Sequence, residues 1–514
     1  MSEPLVVAVD CSTTAAKAVV QDRSGRVVAS ASRPLALDRP QPSWHEQDAE
    51  SWWTATRDAV AEAVAALDDP SRVGAMCLTH QRESFVCLDR AGRPLRPAIL
   101  WLDGRAQVEI AELGSPRVHE LSGKPPDTTP ALYKLAWLSR HEPQVLAAAA
   151  RVGDVQAYLC LRLTGEWATS PASADTLGLF DARGQTWAPE LLDLAGVRAE
   201  QLPTLVAAGG LLGTVGAATA ATLGLPGPVP LVAGIGDGQA AGVALGSRPD
   251  VAYLNLGTSM VLGVQAAEYL WDPAFRTLVG VAPGHYTLET VLNAAGYLTG
   301  WFRSEFGTDD DAVHPDALEA AAAAVPPGAE GLLTLPYWNA AQTPYWDPLA
   351  RGAVVGWHGR HTRAHLYRSI LEGVGFELRL HLERLEAATG RGIRSIRMVG
   401  GGARSPLWVR IIADITQRPV RVCADREVSA AGAALLAWAF LDSGASRGGT
   451  AGGTAALEAA AGVGEPPGLD VLPDAAAAPT YAALQAVHGR LYAELRGAFA
   501  DLATVADEAA GRSD

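Results

Sequence analysis

The strongest constraint on this chain is a pattern that it carries twice. An apolar run, Pro230-Leu231-Val232-Ala233, leads into Gly234-Ile235-Gly236-Asp237-Gly238, and a small-residue stretch from Gln239 to Leu245 follows. This reads as a strand, a tight glycine turn and a helix N-terminus, with one carboxylate, Asp237, held in the turn. Glycines let backbone approach a ligand closely, and free N–H groups at a helix start attract anions. After Pro249-Asp250 a second apolar strand, Val251 to Leu256, ends in Gly257-Thr258-Ser259, the composition of a phosphate cradle. The opening of the chain repeats the idea. A buried-strand run, Leu5 to Val9, ends in Asp10-Cys11-Ser12-Thr13-Thr14-Ala15-Ala16-Lys17, and further strand-like runs follow at Ala18–Asp22 and Val27–Ser30. The pattern predicts an α/β fold in which two similar halves face one cleft. Asp10, Thr13, Thr14, Asp237, Thr258 and Ser259 would then surround one nucleotide. Taken singly, each turn also reads as an ordinary β-turn, which uses the same residue types.

Composition narrows the class. A chain of 514 residues exceeds the size at which one core stops growing, so two large domains are expected. Hydrophobic residues at 48% against 19% charged are globular, and no apolar run reaches membrane-spanning length. The N-terminus, MSEPLVVAVD, has no basic region or cleavage site, so no secretory leader is expected. Cys11, Cys77, Cys87, Cys160 and Cys423 show no C-x-x-C spacing, which argues against a zinc site or disulfide framework and fits the reducing cytoplasm. A net charge of −15 without a basic block argues against nucleic-acid and membrane partners.

Along the chain, an amphipathic helix spans Glu50 to Leu67, capped from Asp48–Ser51. The strand Val73 to Leu78 ends in a dense polar cluster, Thr79-His80-Gln81-Arg82-Glu83-Ser84. A later run, Pro97 to Leu102, ends in Asp103-Gly104-Arg105. Open α/β sheets bind ligands at such strand ends. Arg82, Glu83, Trp101 and Asp103 are therefore candidates to hydrogen-bond and stack on a polyhydroxylated substrate; the competing reading is a surface ion pair between Arg82 and Glu83. Residues Ser170–Asp175 read as a polar loop, Thr290–Phe302 as a helix near the cleft, and Gln342–Pro348 as an ordered loop. A long helix spans Leu366–Thr389. The strand Ile396–Val399 runs into Gly400-Gly401-Gly402-Ala403-Arg404-Ser405, with a helix beginning at Pro406; this glycine turn suits adenosine or phosphate. An Ala-rich helix, Ser429–Phe440, a loose connection over 443–478 and a last helix near Thr480–Leu502 complete the chain.

These motifs in this order, with Pro130-Ala131-Leu132-Tyr133-Lys134-Leu135 among them, resemble the FGGY carbohydrate kinases of the actin-like superfamily over nearly the whole chain. The resemblance implies two actin-like (ribonuclease H-like) domains with a nucleotide cleft between them. Residues 1–246 would carry the sugar site, the first phosphate loop and the catalytic Asp237, and residues 247–514 the ATP side and C-terminal helices. It implies ATP and Mg²⁺, with Asp237 as base and Asp10 and Asp237 toward the metal. Asp10, Ser12, Thr13, Thr14, Lys17, Gly257, Thr258 and Ser259 would hold phosphates. Gly401, Gly402, Ala403 and Ser405 would hold adenosine. His80, Gln81, Arg82, Glu83, Trp101, Asp103, Asp237 and Gln239 would line the acceptor site. The usual Asp-x-Gly-Thr is Asp10-Cys11-Ser12-Thr13 here, and serine restricts that turn. The His80–Glu83 cluster resembles glycerol kinases. Trp44-His45-Glu46-Gln47-Asp48, Leu100–Arg105 and Thr343–Pro348 resemble xylulose kinases. The implied acceptor is a ketopentose, with glycerol or another short polyol as the alternative; a cytoplasmic enzyme is implied, and a homodimer is compatible with the sequence.

The chemistry agrees with the residues. Phosphoryl transfer needs positioning and charge neutralisation, and a carboxylate within reach of the acceptor hydroxyl takes its proton. A dinucleotide-dependent oxidoreductase is the rival from another chemistry, since Gly236–Ala241 satisfies G-x-G-x-x-A; the following strand ends without the carboxylate that fingerprint requires. An actin-like ATPase without sugar transfer is the second rival, because fold does not fix function.

Overall fold

The first half is built on a meander. β1 (Leu5–Cys11), β2 (Ala15–Gln21) and β3 (Val27–Pro34) pair antiparallel, with the Asp22 carboxylate closing the second turn onto the Ser24 and Arg26 amides. α1 (Ala49–Ala65), capped by Asp48, returns the chain so that β4 (Val73–His80) joins β1 in parallel. After an insertion of short helices and a small four-stranded sheet, β5 (Leu211–Val215) and β6 (Val229–Gly236) complete the order β5-β6-β4-β1-β2-β3. α2 (Asp237–Ala244) starts where β6 stops. The computed structural model describes residues 3–308, 316–423, 427–443, 454–455, 458 and 466–510.

The second half repeats the scheme. β7 (Val251–Leu256), β8 (Met260–Ala266), β9 (Arg276–Val279) and β10 (Tyr286–Leu292) pair antiparallel. α3 (Gly296–Phe306) and α4 (Arg363–Thr389) precede β11 (Ser395–Val399), α5 (Pro406–Thr416), β12 (Val420–Cys423) and α6 (Val428–Ser443). An edge strand, β13 (Gly468–Val471), and α7 (Ala478–Ala510) follow, and the sheet order is β9-β10-β8-β7-β11-β12-β13. In each sheet the first meander strand runs parallel to later strands: β1 with β4, and β7 with β11. The ends of these parallel strands place the loops that carry Asp10, Asp237 and Gly400 at one crevice, as open α/β sheets do.

The sheets separate near residue 246, but the packing does not. α6 crosses back from the second half and lies on β1, β4 and β6 beside α2, so that Ala430, Ala433, Leu436 and Ala437 share a core with Val6, Ala8, Ala75 and Ile235. The crossing is close: a Cβ on Gly432 would stand 2.1 Å from the Ala240 carbonyl oxygen. The helix that carries Asp237 is thereby fixed from both halves.

Local readings differ from the structure in three places. Thr290–Leu292 belong to β10, and the helix starts only at Gly296; a strand buried on both faces is a continuous apolar run, which periodicity cannot separate from a buried helix. Ser170–Asp175 is a buried helical turn, in which Ser170 Oγ donates to the Gly234 carbonyl at 2.6 Å. Of the connection 443–478, much lies outside the described residues, while Gly468–Val471 pairs with β12 as an ordered edge. All five cysteines are buried thiols outside any disulfide, and no described helix is long and apolar enough to cross a membrane.

Candidate active site

Asp237 opens α2 at the mouth of a cavity of about 200 Å³. Its side chain is 37% exposed, and Arg82 Nε forms an ion pair with its Oδ1 at 3.0 Å. The same guanidinium reaches the second half, where Nη1 donates to both oxygens of Glu289 at 3.1 Å. Glu289 also accepts from Arg276 Nε at 2.7 Å and from the Tyr253 hydroxyl at 2.7 Å, and Arg276 Nη1 returns to Glu83 Oε1 at 2.9 Å. Arg82 and Glu83 are therefore no surface pair. They belong to one chain of charges, Asp237–Arg82–Glu289–Arg276–Glu83, buried from Arg82 to Glu83, that spans the two halves. Burial pushes the Glu289 carboxyl up, but the Arg82 and Arg276 charges outweigh it and hold the group down at about 2. Two local features record the crowding. Glu83 adopts φ 63°, a left-handed conformation that costs a non-glycine residue about 1 kcal/mol. A Cβ on Gly238 would stand 2.9 Å from both Arg82 Nη2 and Glu289 Oε2, so a side chain there would push on the Arg82–Glu289 pair.

The rest of the cavity wall is polar and aromatic. Trp101 and Thr13 line it together, with the indole Nε1 donating to Thr13 Oγ1 at 2.9 Å. Asp127 and Thr129 line it from the insertion, held by the buried Lys134, whose Nζ donates to the Thr128 and Thr129 carbonyls at 2.9 and 2.7 Å. That tether explains the lysine of the Pro130–Leu135 motif; burial pushes its ammonium down to about 8. Asn255, Asn293, Gln342 and Trp346 close the side formed by the second half.

Asp10 lies on the far side of Asn255 and Ser429, which line both this cavity and a second one of about 400 Å³. The second cavity holds Asp10, Gly400, Gly401, Ala403 and Arg404, and it shares Gly401 and Arg404 with a wider cleft of about 790 Å³. That cleft combines Gly257, Thr258, Gly402 and Ser405 with Tyr297, Trp301, Tyr367 and Trp408, so hydroxyl turns give way to aromatic surface. Asp10 Oδ1 is buried without a hydrogen-bond partner, and burial, then the Asp237 charge, pushes the carboxyl up to about 7 against the pull of Lys17. An orphaned carboxylate oxygen beside a second carboxylate, next to hydroxyl turns, is a donor set that suits a hard divalent cation such as Mg²⁺.

The residues singled out from sequence fall into two groups. Ser12, Thr13, Arg82, Glu83, Trp101, Asp237 and Ser259 line the first cavity, and Asp10, Gly257, Thr258, Gly401, Gly402, Ala403 and Ser405 line the other two. Ser12 keeps a negative φ, so serine fits the turn; its hydroxyl donates to Ala15 O at 2.9 Å. The remaining residues line none of these cavities. His80 is buried with Nε2 on Ser173 Oγ at 2.9 Å, and Gln81 braces Thr13 from beneath. Asp103 is fully buried in a clamp with Arg105, whose guanidinium lies 3.8 Å over the Trp44 ring. Gln239 turns away from the cavity, donating to Ala172 O at 2.9 Å. Lys17 is paired with Glu427 at 2.7 Å, and Thr14 is exposed with its carbonyl tied to Leu35 N–H at 2.8 Å. Sequence reasoning passed over Tyr253, Arg276 and Glu289. The available signal was a single carboxylate inside the apolar run Thr287-Leu288-Glu289-Thr290-Val291-Leu292.

Comparison with known proteins covers most of the chain. The family model for the N-terminal domain of FGGY carbohydrate kinases matches residues 5–244, and that for the C-terminal domain matches residues 252–440. A xylulose kinase of Escherichia coli is 32% identical across 84% of this chain and 89% of that protein. A glycerol kinase of Citrifermentans bemidjiense is 32% identical across 84% of this chain and 89% of that protein. The crystal structure of xylulose kinase from Rhodospirillum rubrum superposes with a TM-score of 0.85 at 33% identity, over 96% of this chain and 99% of that one.

Proposed function

We propose that this chain, which belongs to the FGGY family of carbohydrate kinases, phosphorylates a ketopentose of the xylulose type. As a family member it has the two actin-like domains and is an ATP-dependent phosphotransferase with an alcohol group as acceptor. The observation that carries the reading is Asp237: a carboxylate held by Arg82 and open to a small polar cavity, one cavity away from the partnerless Asp10 oxygen.

The acceptor sits in the first cavity. Trp101 offers a face to its carbon skeleton, and Arg82, Asp127, Asn255, Asn293 and Gln342 are the polar groups available to its hydroxyls. Adenosine occupies the aromatic cleft, and the phosphates run past Gly401 and the hydroxyls of Thr13, Thr258 and Ser259. Asp237 accepts the proton of the acceptor hydroxyl as that oxygen bonds to the γ-phosphorus; the bond from the γ-phosphorus to the β,γ-bridging oxygen breaks and ADP leaves. Arg82 fixes the orientation of the proton acceptor. Asp10, with Asp237 beside it, would hold Mg²⁺, which when bound neutralises charge on the phosphate oxygens. Closure of the two halves over the cavity would keep water from competing as acceptor.

ADP release with Mg·ATP across xylulose, ribulose, glycerol, erythritol and gluconate tests the reading. Xylulose is expected to give the highest kcat/KM. Glycerol as the best acceptor would overturn the ketopentose assignment, and ATP hydrolysis indifferent to every acceptor would overturn the transfer reaction.

A further inference from the structure

One wall of the acceptor cavity comes from a loop far from both phosphate turns. Gln342 and Trp346 line the cavity. Their loop is pinned at its base by two backbone bonds, from Asp347 N–H to Ala341 O at 2.8 Å and from Ala341 N–H to Asp347 O at 3.1 Å. On the cavity side it is registered against the second sheet: Gln342 Oε1 accepts from Asn293 N–H at 2.9 Å, Thr343 Oγ1 accepts from Val291 N–H at 3.1 Å, and Trp346 Nε1 donates to Pro273 O at 2.6 Å. The other face of the loop rests on α4 and on the C-terminal helix α7. His381 of α4 donates from Nε2 to Thr343 O at 2.9 Å. Tyr345 stacks on Tyr492 of α7 with ring centroids 3.7 Å apart and planes 17° from parallel. The Tyr492 hydroxyl donates to Asp347 Oδ2 at 2.7 Å, and Tyr337 packs edge-on against both rings.

One side chain therefore holds two corners of the loop, by stacking on Tyr345 and by a charge-assisted bond to Asp347, yet it lines none of the cavities described above. We propose that Tyr492, on a helix beyond the stretch matched by the C-terminal family model, is a positioning residue that seats the loop Gln342–Asp347 and thereby sets acceptor affinity. The physical basis is preorganisation. A loop that must be ordered on binding draws on the binding energy, whereas one already seated does not. The two contacts differ in kind: the stack fixes the height of the loop, and the phenol bond fixes the base at Asp347.

The inference rests on the acceptor reading of the first cavity, and the test separates the two. Wild type, Tyr492→Phe and Tyr492→Ala are compared by steady-state kinetics with xylulose and ATP, and by hydrogen exchange of residues 341–347 in the unliganded protein. Tyr492→Ala is expected to raise the acceptor KM roughly 10-fold with the ATP KM unchanged, and to speed exchange in 341–347. Tyr492→Phe keeps the stacked ring and loses only the bond to Asp347, so it is expected to fall between the two. An acceptor KM unaltered in Tyr492→Ala, or a rise in both KM values alike, would overturn the positioning role. Exchange reads the seat whatever the acceptor: if wild type phosphorylates no sugar, the functional reading fails, and exchange at 341–347 unaltered by Tyr492→Ala would refute the seat as well.

Discussion

Glu289→Gln is the sharpest perturbation of the buried charge chain. Glu289 is fully buried and accepts from Arg82, Arg276 and Tyr253. Its carboxyl is held at about 2, against 4.5 ordinarily. At 1.36 kcal/mol per unit, that depression corresponds to about 3 kcal/mol in favour of the ionised native form. The figure agrees with the loss of about 3–5 kcal/mol seen when one partner of a buried ion pair is removed. The low end is expected here, because Arg82 keeps Asp237 and Arg276 keeps Glu83 in the variant. For a domain of this size the melting temperature should drop by roughly 6–12 °C. The sign with pH follows from the depressed group. Its stabilisation is present above pH 4.5 and is lost as pH falls toward 2, so the gap between wild type and variant should close only in acid. The catalytic consequence is separate. With Glu289 neutral, Arg82 no longer divides its charge and its donors between two carboxylates, and it settles toward Asp237. Displacement of Asp237, the proposed proton acceptor, should lower kcat/KM up to about 100-fold. Differential scanning calorimetry at pH 7.5, with kinetics run well below the melting temperature of the variant, reads both effects. A variant that melts with wild type and turns over normally would refute the view that this chain of charges holds the halves and the site together.

Other substitutions probe single groups. Asp237→Asn should lower kcat by roughly 10²- to 10⁴-fold while a fluorescent ATP analogue binds as before, and retained turnover would remove Asp237 from the proton-transfer step. Asp10→Asn should raise the Mg²⁺ concentration needed for half-maximal rate about 10-fold or more, and an unchanged Mg²⁺ requirement would show that the orphaned Oδ1 faces no cation. Glu377, buried against α7 with the Tyr337 hydroxyl at 2.6 Å, is pushed up to about 8 by burial. A raised carboxyl stabilises the native state fully below pH 4.5 and loses that contribution as pH climbs to 8, so Glu377→Gln should gain melting temperature relative to wild type between pH 6.5 and 9. A gap that stays constant over that range would contradict a protonated Glu377.

The parts of the site that were legible in sequence are those set by local backbone needs. Asp10 and Asp237 each end an apolar strand at a turn, and the turn chemistry announces itself in Ser12–Thr14 and Gly236–Gly238. The strands that carry them were legible because buried parallel strands are short continuous apolar runs. What polarity at a strand end does not tell is which way each side chain faces. His80, Gln81, Arg82 and Glu83 are consecutive, yet only the last two reach the cavity while His80 turns back onto Ser173. Asp103 follows Trp101 by two residues and looks equally available, but Arg105 and the His45 backbone N–H capture it. Glu289 was hidden for a different reason. The last three residues of its strand read as the start of a helix, and its partners Arg82 and Arg276 are brought to it only by tertiary folding. The Ala-rich α6 was visible as a helix; that it is buried against the first sheet is a property of topology alone.

That topology explains why the proposed acceptor cavity belongs to neither half. Arg82 and Glu83 enter from the first sheet, Glu289 and Arg276 from the second, and Asp237 sits on the helix that α6 clamps from across the boundary. Any opening that separates the sheets must break Arg82–Glu289 and Arg276–Glu83 together, and it exposes both guanidiniums to water. In an open form Arg82 has only Asp237, and the wall carrying Asn293, Gln342 and Trp346 is gone. The proposed proton acceptor and acceptor-binding groups are then complete only when the halves are together. The same closure that assembles them removes the water that would otherwise take the phosphoryl group. Rejection of water therefore follows from where the charges are anchored, and weakening the anchors, at Glu289 or at Arg276, should raise the ratio of ATP hydrolysis to sugar phosphorylation even where the residual transfer rate is high.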